Sequence, residues 1–526
     1  MEVILRLLAV VQNLLCFVLE PLYWLWAMMK ITIPLQTIRN PILTMSATEL
    51  ATKIRTGELT CEEVVEVYSF RSRRVNMKLN AIVDERYEEA LKEAERVDEL
   101  ITSRSKTVEQ LEEETPLLGV PVSISGCFRV KGMNHAVGCV RRVGQMAEAD
   151  GAAVAELRRA GAIVLVTTNT PEQCVSAETH NLVTGVTKNP YNYHRTVGSS
   201  AGGEASLIGG AGSVVGIGSE WLGSIRGPAM YAGVFAHRPP AGIVPVEGHF
   251  PEVSDSEAVV GPMTRYAEDL PLMLRILGGG NAKRLRLNEP VSISDVDVYY
   301  MTQAKYSIGL PIVDKSIKQA VTKAVDYLKA NYGCKAEKVS LDEMSNSIEI
   351  SRAVLFGRTL PDVFEENEAL NHKEFNVTKE IVKVFTILTT YSLGALGYSL
   401  MKYTGGLLSR KSVSEYIRDK EVLRKKLIEK LGKTGVLVMP THPSSAHYHH
   451  QWMLRPMQSV YCDIITALGL PATNVPMGLN SSGLPIGIQV VGAPDQDRLC
   501  LAVAQRLEKG FSGWAKPPCM KPPSET

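Results

Sequence analysis

Several kinds of chemistry are absent from this chain, and each absence narrows what it can be. Its nine cysteines, Cys16, Cys61, Cys127, Cys139, Cys174, Cys334, Cys462, Cys500 and Cys519, are odd in number and never fall as Cys-x-x-Cys. A disulfide framework or a zinc site is therefore not expected, and reduced thiols are. There is no excess of charge. Fifty-seven Lys and Arg against 56 Asp and Glu leave a net charge of +1. Neither a nucleic-acid-binding field nor an acidic tail can be built from that balance. No Gly-Lys-Ser/Thr follows the glycine-rich tract at 198–203, so that tract is not a P-loop. Internal repeats and low-complexity blocks are also missing. Apolar residues make up 45% of the 526 and charged residues 21%, which suits a large folded core rather than a disordered chain.

The first segment is apolar. Between Leu7 and Met29 there is no Lys, Arg or Asp, and Glu20 is the one charged residue. As a helix this stretch would be roughly 34 Å long, enough for a bilayer core of about 30 Å. Tyr23, Trp24 and Trp26 at its far end resemble an interfacial aromatic belt. Gln12, Asn13 and Glu20-Pro21 keep an interfacial or an ordinary buried helix open as alternatives. No small-x-small site follows, which disfavours a cleaved signal peptide. Residues 1–31 are read as a membrane anchor or interfacial helix, with Lys30 and Arg39 after it tilting the main domain towards the cytosol. Residues 32–45, with Pro34 and Pro41, read as a linker.

Residues 46–515 read as one α/β domain, followed by a tail at 516–526. Ser46-Ala-Thr-Glu49 and Thr60-Cys-Glu-Glu63 have the pattern of capping boxes. A long charged helix is expected over 85–102, with Arg86, Lys92, Glu93 and Arg96 on solvated faces. A buried strand is expected within 116–124, a helix over 150–160 and a buried strand over 162–168. Residues 435–440 and 485–491 give two more core strands, and 496–509 a closing helix. Helix–strand alternation of this kind points to an α/β class with a largely buried sheet. A second uncharged apolar stretch, Val384 to Met401, falls late in the chain and fits either a buried helical hairpin or a membrane-facing insert at 384–408.

Three motifs carry the chemistry. Pro121-Val-Ser-Ile-Ser-Gly-Cys-Phe128 is followed by Gly198-Ser-Ser-Ala-Gly-Gly-Glu204 and then by Gly218-Ser-Glu-Trp-Leu-Gly-Ser-Ile-Arg226. Together they resemble the amidase signature family, with the resemblance running from about residue 46 to residue 514. Arg265-Tyr-Ala-Glu-Asp-Leu270, Ala467-Leu-Gly-Leu-Pro471 and Gly483 to Val491 extend it towards the fatty-acid amide hydrolases of that family. The resemblance implies a large mixed sheet flanked on both faces by helices, a substrate tunnel opening to the membrane, and a Ser-Ser-Lys triad. It places the nucleophile at Ser224 and the proton relay at Ser200. The triad lysine position reads Ser125. Lys131 belongs to a separate Val-Lys-Gly element and is not a shifted base.

Amide hydrolysis needs a nucleophile, a base, an acid for the leaving nitrogen and donors for the oxyanion. A serine at 125 cannot accept a proton as a lysine amine does, and loss of a general base typically costs about 10²- to 10⁴-fold. The resemblance assigns the oxyanion donors to the stretch Glu220, Trp221, Leu222 and Gly223. There Leu222 replaces a glycine and limits the backbone angles available, Trp221 adds bulk, and Ala201 removes a hydroxyl from the relay. Two readings follow. One is a membrane-associated pseudoamidase that binds fatty-acyl amides or esters. The other is an active serine hydrolase using Ser224 with a substitute base. An amidotransferase subunit, a third role found in the family, fits poorly with the apolar N-terminus and insert. Implied partners are a fatty-acyl small molecule and a membrane, an endomembrane or a lipid droplet, with a homodimer left open and no nucleic acid. No cofactor or metal is expected. The cluster His442, His447, His449 and His450 has no carboxylate or cysteine close by in sequence, so it is not read as a metal site.

Overall fold

The structure is a computed structural model, and it describes residues 2–29, 34–254, 258–356, 380, 383, 389–455 and 457–518. The apolar residues 384–388 and Cys519 lie outside the described residues. In chain order the strands are β1 (Ile82–Glu85), β2 (Pro121–Ser125), β3 (Ile163–Thr168), β4 (His180–Asn181), β5 (Gly185–Val186), β6 (Val215–Glu220), β7 (Phe235–Arg238), β8 (Val259–Thr264), β9 (Asp297–Tyr300), β10 (Ala336–Lys338), β11 (Gly435–Pro440), β12 (Ala472–Leu479) and β13 (Pro485–Gly492). β4 and β5 form a small hairpin. The other eleven make one mixed sheet in the order β1-β3-β2-β6-β8-β7-β12-β13-β11-β9-β10.

The chemistry sits where three of these strands run parallel. β2 lies between β3 and β6, parallel to both. Ser125 pairs with Thr168, and Ile124 with Ile217. The carboxyl ends of β2, β3 and β6 therefore emerge side by side, the usual place for a site in a sheet of this kind. Every residue of these three strands is buried, so both faces of the sheet are covered. That is why β3 opens on an unbroken apolar run, Ile163–Val166, rather than an alternating one.

Most expected elements form within a residue or two of the reading. Ser46 and Thr60 cap their helices, accepting from the Glu49 and Glu63 amides at 3.0 and 3.2 Å. The reciprocal capping box closes instead at Thr107 and Gln110. The charged helix runs Tyr87–Ser103, because Glu85 ends β1. Arg86 is not on a solvated face: it is largely buried and grips Glu93 at 2.6 Å.

The N-terminal helix, Glu2–Met28, lies along the domain rather than projecting from it. Polar side chains on one stripe make the contacts. Arg6 pairs with Glu349 at 2.6 Å, Gln12 donates to the Met453 carbonyl at 3.1 Å, and Arg455 reaches both Cys16 (2.9 Å) and Glu20 (3.2 Å). Tyr23 stacks on Tyr448. The outer stripe, including Leu7, Val11, Leu14, Phe17, Val18 and Leu22, is exposed. Among the described residues this is the one helix long and apolar enough to cross a membrane. Further along, the helix Leu393–Tyr403 is two-faced. Ala395 and Leu396 are buried against Val175 and Trp221, whereas Leu393, Leu400 and Tyr403 are exposed.

Candidate active site

The turn from Glu220 to Arg226 is built on a buried ion pair. The Arg226 guanidinium donates to Glu220 at 2.6 and 3.1 Å, and also to Thr466 Oγ1 (2.7 Å), the Cys462 carbonyl (3.0 Å) and Gln489. Arg238 adds a second cation 3.3 Å from Glu220. Both partners of the main pair are wholly buried. Burial alone would raise the Glu220 carboxyl, but the charge and hydrogen bonds of Arg226 outweigh it and hold the group below its usual range. The Glu220 side chain is thus a structural anchor for the turn.

Gly223 is the residue in this turn that only glycine suits. Its φ is +69°, and a Cβ there would stand 2.2 Å from Cys462 Cβ. Leu222, which the sequence marked as a restriction, is not among the residues with positive φ. The special angle falls one position later, on the glycine that the chain has. Ser224 Oγ accepts from the Trp221 backbone N–H at 3.2 Å. The Trp221 ring leans on His249, with centroids 6.4 Å apart, and packs beneath the Leu393–Tyr403 helix. Trp221 and Leu222 also line a cleft of about 170 Å³ with Val259, Val354 and Leu468.

Ser200 stands beside this turn. The Ala201 amide donates to the Ser224 carbonyl at 3.1 Å, which holds the two serine segments together. The Ser199–Ser200 peptide bond is cis. Below them, Glu204 accepts from Thr168 Oγ1 at 2.7 Å and from Ser123. A Cβ at Gly216 would fall 1.7 Å from Glu204 Oε1, so glycine is required for the carboxyl to sit on β6. Burial pushes Glu204 up to about 8 against the pull of its two hydroxyl donors.

Ser125 is buried at the end of β2, and its hydroxyl meets sulfur rather than an amine. Cys127 Sγ is 3.4 Å from Ser125 Oγ and 3.6 Å from Ser219 Oγ. His249 Nε2 lies 2.8 Å from Ser219 Oγ, and its Nδ1 lies 2.8 Å from the Pro251 carbonyl. Cys174 completes the cluster, and its thiol feels the Ser200 hydroxyl. Burial opposes ionisation of Cys127, yet the Cys174 hydrogen bond and the His249 charge hold its thiol below the usual range. Lys131, by contrast, is exposed, and its amide is held by Asp150 at 2.8 Å. Cys127, Cys174 and His249 come from three distant segments, so their grouping does not show in the sequence. The local signal was the cysteine two residues after Ser125.

The histidine-rich segment also acquires a partner that spacing did not reveal. Glu178 lies 2.6 Å from His449 Nδ1 and accepts the His450 amide at 3.0 Å. Burial would raise Glu178, but the bond and charge of His449 prevail and bring it down to about 2. His442 goes elsewhere, with its Nδ1 2.9 Å from Tyr231 Oη. These are contacts that pin loops together. Among the described residues, the set of side chains close enough to hold a metal is Cys127, Cys174 and His249.

Comparison with known proteins agrees with this geometry. The Amidase family model matches residues 63–501. Fatty-acid amide hydrolase 2-A of Danio rerio is 39% identical over 492 residues, 92% of each chain. Fatty-acid amide hydrolase 2 of Homo sapiens is 37% identical over 487 residues, 91% of each. Among solved structures, a fatty acid amide hydrolase superposes with a TM-score of 0.69 at 22% identity, over 89% of this chain and 85% of that one.

Proposed function

The chain belongs to the amidase family, and on that premise we propose that it is a membrane-associated, fatty-acid amide hydrolase-like protein that binds long-chain acyl amides or esters and cuts amides slowly. One observation carries the reading: Ser125, at the family's lysine position, is a buried hydroxyl that the Cys127 thiol approaches at 3.4 Å. Lysine, the family's base, is replaced by a group that stays neutral and protonated, which leaves Ser200 and Ser224 without a strong proton acceptor at that position. The fatty-acyl class comes from the relatives, both of them named fatty-acid amide hydrolases.

The membrane reading rests on the N-terminal helix. Its contacts run from Arg6 to Tyr23 along the domain, which leaves an apolar stripe facing outward. A helix held along its length in this way suits a position in the interface plane. Replacing Leu14 and Phe17 by aspartate should release the protein from lipid vesicles. Retention after that change would favour a spanning helix.

The catalytic test compares the natural protein with Ser125→Lys on a long-chain primary acylamide. At least a roughly 10²-fold gain in kcat/KM is expected. Fast cleavage by the natural protein, lost in Ser224→Ala, would overturn the proposal. A second reading has one specific observation in its favour, because the Ser224 turn keeps its Gly223 angle and its Trp221 donor. On that reading the protein is an esterase, since an alkoxide leaves without strong acid assistance. Ester turnover abolished by Ser224→Ala, with acylamides untouched, would establish it.

A further inference from the structure

Two thiols and an imidazole converge at the carboxyl ends of β2 and β6. The Cys127 and Cys174 sulfurs and a His249 ring nitrogen all lie within 4.8 Å of one another. A tetrahedral Zn²⁺ bound by such a set needs sulfurs about 3.8 Å apart and sulfur–nitrogen separations of about 3.6 Å. Side-chain rotations that draw the groups in by about 1 Å would meet that geometry.

The histidine is held in the orientation that coordination needs. A carbonyl oxygen can only accept, so the Nδ1 facing Pro251 at 2.8 Å carries the proton in the neutral ring. Nε2 then carries the lone pair, which accepts from Ser219 Oγ at 2.8 Å and would exchange that hydroxyl for the metal. A backbone carbonyl behind the distal nitrogen is the support that fixes tautomer and ring direction in metal-bound histidines. Further donors are at hand, since the Ser125 and Ser219 hydroxyls lie 3.4 and 3.6 Å from Cys127 Sγ. Charge fits as well: two thiolates balance a divalent cation, so the buried site would be neutral overall. A lysine at 125 would carry an ammonium towards the same sulfurs and compete with the metal.

We propose that Cys127, Cys174 and His249 bind one Zn²⁺ ion, with the fourth position left to water or to a neighbouring serine hydroxyl. Three protein ligands with one open position is the arrangement of a zinc that accepts a further ligand, not of a closed structural site. Chain order hides the site because its ligands lie far apart in sequence, and the fold assembles them.

The test uses full-length protein in detergent, reduced and stripped with a chelator, then given Zn²⁺ alone and dialysed. Elemental analysis should find about one equivalent retained. Retention should fall to background in Cys127→Ser and Cys174→Ser, drop sharply in His249→Ala, and persist in Cys61→Ser. Ser125→Lys should weaken it. Cobalt loading of the unaltered protein should give a thiolate-to-cobalt charge-transfer band, a readout independent of whether the variants fold well. No retention by the reduced protein would overturn the proposal. So would retention unchanged in both cysteine variants, or the absence of a charge-transfer band. None of these readouts measures turnover, so their failure is separable from failure of the amidase reading.

Discussion

Behind the turn from Glu220 to Arg226, a buried carboxylate meets two guanidiniums. In front of it, at position 125, a hydroxyl meets a thiol. The two regions lie at the same end of the sheet but answer to different constraints. The rear cluster must be charge-matched, because a single unpaired ion there would be left in a medium that cannot solvate it. The front cluster owes its composition to chemistry, and a neutral serine can stand at the end of β2 without disturbing the sheet around it. On the proposed reading, the fold keeps its architecture here while the residue at 125 no longer handles a proton.

Arg226→Met attacks the rear region directly. It strands Glu220 with only the partial compensation of Arg238, and should cost about 3–5 kcal/mol in urea unfolding. A cost under about 1 kcal/mol would mean that this side is no more constrained than the other. Glu178 offers a second buried charge to compare. Its folded pKa of about 2 lies below the ordinary 4.5. The stability it contributes is therefore complete above pH 4.5 and lost as pH falls towards 2, on the order of 3 kcal/mol in all. Acid unfolding followed by circular dichroism should show a shallower loss over that window in Glu178→Gln than in the natural protein.

Gly223→Ala probes the turn that joins the regions. The new Cβ meets Cys462 at 2.2 Å and the backbone keeps φ at +69°, so a cost of about 1–3 kcal/mol and loss of the slow acylamide turnover are expected together. The smallest effect should come from Leu222→Gly. Leu222 needs no special angle, and thermal unfolding should change by less than about 1 kcal/mol. A large gain in acylamide turnover from that change would show that Leu222, not Ser125, limits the chemistry.

Much of the fold was legible because its signals are local. β11 and β13 are short apolar runs bounded by glycine and proline, and the Ser46 and Thr60 caps follow from residues three positions apart. That the segments holding Ser200 and Ser224 stand together was suggested by the company these serines keep in sequence, and the Ala201–Ser224 hydrogen bond joins them. Arg86 was misplaced because its partner Glu93 and its strand contact at Val164 are set by packing. The reach of Glu178 to His449, and of His249 to Cys127, was illegible for the same reason.

The sequence alone determined the class of sheet, the apolar first segment and the presence of a serine at 125, since these depend on composition, periodicity and residue identity. Tertiary structure decided that the N-terminal helix lies along the domain on a polar stripe, that Gly223 rather than Leu222 takes the demanding angle, and that two cysteines and a histidine meet beside Ser125. Those outcomes depend on distances between residues remote in the chain, and only the closing of the sheet sets such distances.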